Sequence, residues 1–171
     1  GGSLSLMEAT PLAIQGYDSS ATSPISCIPS ANFLPGTDVL VIRRADSATS
    51  TIAAAAAGVG GQVYLQTNTS TAVMGLGTGA NTTSFPLSYD TANTIQAPLR
   101  RYLVHIYFIS PCSTMANGIA CTAADDSGRP IPTLQRMELG ATGSTTTFSL
   151  TPLVEGIESM QLDYGLDTDN D

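Results

Sequence analysis

The sequence predicts a mainly β, or α+β, fold built on an antiparallel sheet with long loops, and three observations carry that expectation. Ser and Thr make up 40 of the 171 residues while charged residues make up 12%. Hydroxyl and β-branched side chains suit strands and turns, whereas solvent-facing helices lean on Glu, Lys, Arg and Leu. The run 99–110 is apolar on both of its period-two faces, with Leu103, Tyr107 and Ile109 on one and Val104, Ile106 and Phe108 on the other. That is the pattern of a central strand. The run 133–139 alternates instead, Thr133, Gln135, Met137 and Leu139 against Leu134, Arg136 and Glu138, as an antiparallel partner with one wet face should. An apolar share of 42% and a mean hydropathy of +0.13 exclude disorder driven by low hydrophobicity and high charge.

Taken in order, residues 1–16 hold Leu4, Leu6, Leu12 and Ile14 with Pro11 and Gly16, too little periodicity for an element, and read as a lead-in segment. Residues 17–35 are rich in Ser, Thr, Pro and Asp and read as a loop. Pro35-Gly36-Thr37 turns the chain into a β-branched strand over 38–44. Five alanines, Ala53 to Ala57, run into glycines. They suit either a short helix or an irregular arm, since alanine favours helix but no amphipathic face is present. Short strands are expected at 62–66 and 72–75, the central strand at 99–110 and its partner at 133–139. A Gly/Thr/Ser loop follows, then a turn or helical bend over 152–157, and a last strand over 158–166. The expectation is a single domain over 1–171, with the sheet and its loops in 36–166 and an acidic tail at 167–171. No fixed-period repeat is present, which disfavours solenoids and propellers.

The charge balance excludes several functions. Six basic residues, all Arg, stand against 14 acidic ones, a formal net charge of −8. The pairs Arg43/Arg44 and Arg100/Arg101 are the only neighbouring cations, so neither nucleic acid nor an anionic membrane surface finds a basic patch to bind. No apolar run approaches the length of a spanning helix. Cys112 and Cys121 lie nine apart in a turn-rich loop, where a local disulfide closes readily. Zinc is the alternative, but three thiols and one histidine at these spacings make a poor ligand set. Cys27 is left over, either a buried free thiol or one whose partner lies outside this sequence.

Candidate catalytic groups reduce to structural ones. His105 is the only histidine and sits mid-strand, and no Gly-x-Ser-x-Gly elbow exists. Asp126-Ser127-Gly128 resembles half of an aspartic-protease dyad, whose chemistry needs two carboxylates. With one copy it reads as a turn. Gly75-Leu76-Gly77-Thr78-Gly79 lacks the lysine and helix of a phosphate loop, and the sequons at Asn68 and Asn81 carry no assignment. The tail offers one metal candidate. Asp167, Asp169 and Asp171 at i, i+2, i+4 match the opening of a calcium loop, in which alternate side chains converge oxygens on one ion. The expectation is therefore no catalytic residue, no small-molecule substrate and no cofactor, unless calcium binds this series.

Five stretches, 13–18, 36–43, 102–108, 134–139 and 153–165, together resemble the soluble part of PilW-family minor pilins, the type IV pilus assembly proteins of Gram-negative bacteria. The last, Leu153-Val154-Glu155-Gly156-Ile157-Glu158-Ser159-Met160-Gln161-Leu162-Asp163-Tyr164-Gly165 running into Asp167-Thr168-Asp169, is the most specific. The resemblance implies a type IV pilin-like, pseudopilin J-like sheet whose N-terminal helix is largely missing here, and Cys27 could pair within that truncated segment. It further implies a non-enzymatic minor pilin that helps initiate pilus assembly and joins a pilus-tip complex with other minor pilins and a large tip adhesin. The missing helix would anchor it in the inner membrane, facing the periplasm, before it reaches the extracellular tip. The alternative reading is a secreted adhesin or carbohydrate-binding β module, which a charge-poor β domain also fits.

Overall fold

The computed structural model describes residues 3–5, 12–18, 20–58, 61–90, 92, 94–163 and 165. Its strands are β1 (Ser3–Ser5), β2 (Ile14–Tyr17), β3 (Val39–Ala45), β4 (Val63–Thr67), β5 (Thr71–Leu76), β6 (Leu99–Ser110), β7 (Thr133–Thr142) and β8 (Thr145–Glu155). They form one mostly antiparallel sheet in the order β1-β5-β4-β6-β3-β2, with β7 pairing β6 and β8 pairing β7. Among the described residues, helix is found at α1 (Ile52–Ala57), at the single turn α2 (Asp125–Gly128) and in a 3₁₀ turn at Ser30–Asn32. By its internal contacts the chain divides into two compact units. Unit 1 holds Gly1–Ile14, Ile42–His105 and Met137–Leu150; unit 2 holds Gln15–Val41, Ile106–Arg136 and Thr151–Asp171.

In unit 1, β4 pairs antiparallel with β5, Val63 opposite Leu76 through Thr67 opposite Ala72, and on its other edge with β6, Tyr64 opposite Arg101. One face of these strands carries the core. Tyr64, Val73, Phe85 and Leu99 pack there with Ala55 and Ala80, and Ile52 and Leu87 lean against them. Gln66 is fully buried at the same level, where its amide donates to the Ala97 and Leu87 carbonyls and its oxygen accepts from the Leu87 N–H. A buried amide bonded this fully ties Leu87 and Ala97 to the core instead of weakening it. The alanine run resolves to a helix because Thr51 caps it, its Oγ1 accepting from Ala54 N at 3.1 Å.

In unit 2 the buried apolar residues include Ile28, Phe33, Val39, Val41, Ile106, Phe108 and Ile109. The 34–38 turn is tied on both sides. Leu34 N donates to Ile109 O, Gly36 N to Ser20 O and Asp38 N to Met160 O.

β6 spans the predicted residues, and its burial on both faces makes it central. The wet/dry alternation of β7 is likewise found, Thr133, Gln135 and Met137 buried against half-buried Leu134, Arg136 and Glu138. Two expectations need correction. The segment read as a loop and then a bend is β8, which continues from the two-residue turn Gly143–Ser144 with Gly143 at φ +59°. Glycine at the first central position closes a hairpin, and Pro152 is tolerated because β8 pairs with β7 alone among the described strands. The strand expected over 158–166 is absent through 158–163. There the segment bonds the 36–38 turn: Leu162 N donates to the Asp38 carboxylate at 2.7 Å and the Gln161 side-chain amide to Gly36 O. The lead-in segment, too, contributes β1 and β2.

Candidate functional site

Two features stand out, one in each unit. In unit 2 the Cys112–Cys121 disulfide forms as expected, its Cα atoms 5.7 Å apart, and closes a loop that two adjacent carboxylates brace. Asp125, itself buried, accepts from the N–H groups of Ala116 and Thr122 and from the Thr122 hydroxyl. Asp126 accepts from the N–H groups of Ser113, Thr114 and Ile131. The N–H bonds hold both carboxyls below the usual range: that of Ala116 leads for Asp125, while at Asp126 burial pushes upward and is outweighed by the three N–H donors. Reaching those donors puts Asp126 at φ +49° and Ser127 at φ +64°, a left-handed conformation costly for residues with a Cβ. The chain retains it here because it lets one side chain serve three orphan N–H groups.

Further bonds fix the loop from outside. Asn32 accepts from Cys121 N and donates to Ile119 O, both at 2.8 Å. The Gln135 amide donates to Cys112 O and Ser113 O, and the Ser113 hydroxyl to Glu155 at 2.7 Å. The Asp-Ser-Gly triplet is thus a brace whose carboxylate oxygens are already engaged. A rigid, disulfide-closed loop of this kind is suited to presenting a fixed surface.

In unit 1 the sheet residues Val63, Met74, Leu76 and Tyr102, with Leu139 of β7, line an apolar groove of about 540 Å³, rimmed by the hydroxyls of Ser144, Thr145 and Thr146. Burial pushes the Tyr102 phenol up in pKa, offset in part by the Arg43 guanidinium. His105 lies 3.7 Å from Glu138, both partly buried.

The sequons are engaged in turns. Asn68 accepts from the N–H groups of Ser70 and Thr71, and Asn81 from those of Thr83 and Ser84. Cys27 is free and half-buried, and burial pushes its thiol up. Asp167, Asp169 and Asp171 lie outside the described residues. Among the described residues no group of three His, Cys, Asp or Glu side chains converges on a metal position, and no helix is long and apolar enough to cross a membrane.

Residues 106–171 match the family model of the type IV pilus-assembly protein W, PilW. Over that stretch the chain is similar to a family of type IV pilus-assembly proteins. The match takes in the whole of 134–139 and 153–165, two of the stretches that carried the resemblance, and the stapled loop between Cys112 and Cys121. Comparison with curated proteins and with solved structures finds no match. The groove escaped the sequence reading because its lining comes from four strands, none of which is unusual alone.

Proposed function

We propose that the protein is a non-enzymatic minor pilin subunit that helps initiate type IV pilus assembly and forms part of the pilus-tip complex. The single observation that carries the reading is the family match over 106–171. Its partners in this reading are other minor pilins and a large tip adhesin, and a hydrophobic N-terminal helix holds it in the inner membrane facing the periplasm until it moves to the extracellular tip. The physical features agree with that role. A disulfide suits an oxidising compartment, and an assembly subunit needs docking surfaces more than a catalytic set.

The test is purification of the full-length protein from its host's membranes followed by mass spectrometry of what accompanies it. Recovery of minor pilins and a large adhesin in constant ratio supports the reading. Recovery of the protein alone, with binding to glycan arrays instead, would sink it in favour of a secreted adhesin or carbohydrate-binding module.

A further inference from the structure

β8 carries the observation that the pilus reading leaves unused. Among the described strands it pairs with β7 only, and every residue from Thr145 to Ser149 is exposed, with Leu150 half-buried. Its outer edge therefore presents the backbone N–H and C=O groups of alternate residues with no ladder to join. Natural sheets guard such edges with lysine, proline, inward-pointing charge or a covering element. Among the described residues none of these protects Thr145–Leu150. The stretch is Thr-Thr-Thr-Phe-Ser-Leu, without charge, and the first guard, Pro152, comes beyond it.

We infer that this edge pairs with the same edge of a second copy of the chain, antiparallel and centred on Phe148. A twofold axis perpendicular to the sheet keeps each face on its own side, so residues pair when their numbers sum to twice that of the centre. Centring on Phe148 sets it against its own copy, Thr146 against Leu150, and Thr147 against Ser149. These are an aromatic pair, an apolar contact with a threonine methyl, and a hydroxyl pair, the combinations that stabilise antiparallel neighbours. Phe148 is 38% exposed despite its size, and this pairing covers it. Charge is compatible as well. The one charged residue of β8, Glu155, falls opposite Ala141, beyond the start of the partner strand, so no like charges meet. A second copy is favoured over a foreign strand because the stretch complements itself at every position of this register.

The long-range field opposes the approach of two copies, each with net charge −8. Association should therefore strengthen with salt, as the Debye length shrinks from about 10 Å at 0.1 M to about 3 Å at 1 M. The test is sedimentation velocity on the full chain over a concentration series at both salt levels, alongside Phe148→Lys, Phe148→Glu and their equimolar mixture. Circular dichroism confirms that each variant is folded. The wild type should dimerise, more tightly at 1 M. Each variant alone should dissociate at least about tenfold more readily, and the mixture should recover the dimer, because only this register puts Lys opposite Glu. A wild type that stays monomeric throughout, variants that dimerise like wild type, or a mixture that fails to recover the dimer each overturn the inference. None of these outcomes bears on the pilus reading, which the purification experiment tests separately.

Discussion

Asp126 shows how much one side chain can settle. Its carboxylate accepts three backbone N–H groups, two from the start of the stapled loop, Ser113 and Thr114, and one from Ile131 beyond that loop. The bonds favour the ionised form, so its pKa in the folded chain lies below its unfolded value of about 3.9. The sign follows by linkage. A depressed pKa contributes stability that is fully present above the unfolded value and is lost as pH falls through the folded one. Asp125 adds to the same trend, held down first by the Ala116 N–H. Thermal unfolding should therefore be nearly flat in pH above about 5 and fall steeply below about 4. Asp126→Asn should lower stability at pH 7 and make the acid fall shallower, since its neutral amide offers one acceptor oxygen where three donors wait. An acid slope identical in the variant and the wild type would show that the loop does not depend on this carboxylate. The sequence displayed Asp126-Ser127-Gly128 as a turn, but the three donors could not be read from it, because they come from residues up to 13 positions away.

At the scale of elements, what was legible followed the strength of the local pattern. β6 and β7 were readable because burial on two faces or on one leaves a direct trace in the period-two alternation. The Cys112–Cys121 pair was readable because a short loop closes at little entropic cost. β8 was hidden for a different reason: Phe148 and Leu150 do alternate with Thr147, Ser149 and Thr151, but the strand buries neither face, and its Thr and Ser content and Pro152 read as loop and bend. The strand expected over 158–166 failed in the opposite way, because its alternating Met160 and Leu162 looked like a buried face, yet Asp38 takes the Leu162 N–H that a neighbouring strand would have claimed. Close approach of two elements was equally invisible. Gly61 pairs with Ala141 of β7, accepting its N–H at 2.6 Å, and a Cβ at Gly61 would sit 1.6 Å from the Ala141 carbonyl oxygen. Gly79 differs, since its surroundings are open and only its φ of +71° favours glycine. Gly79→Ala should thus cost about 1 kcal/mol through backbone strain, and Gly61→Ala up to about 3 kcal/mol, because backbone must move to admit it. Urea unfolding of both variants checks the ranking, and a Gly79→Ala cost equal to or above that of Gly61→Ala would contradict the contact.

Across the whole molecule, the covalent staple falls in one of the two units. All three cysteines, Cys27, Cys112 and Cys121, belong to unit 2, whereas the apolar cluster around Phe85 and the buried Gln66 belong to unit 1. The division has a physical basis. Residues 111–132 are mostly irregular and rich in small side chains, so little apolar surface can hold them, and a bridge closing nine residues contributes about 2–3 kcal/mol by limiting the unfolded chain. Unit 1 has a packed cluster and a satisfied buried amide and needs no staple. Opening the bridge should therefore act regionally. In the Cys112→Ser/Cys121→Ser double variant, hydrogen exchange should accelerate at the amides the loop holds, those of Ser113, Thr114, Ala116 and Ile131, and at Cys121Ser itself, whose N–H bonds Asn32. The β4 and β5 amides of unit 1 should keep their protection, because their ladder and the core beneath them contain no cysteine. Equal acceleration in β4 and β5 would show that the staple supports the entire chain, and no acceleration in the loop would show that the carboxylates hold it without the bridge.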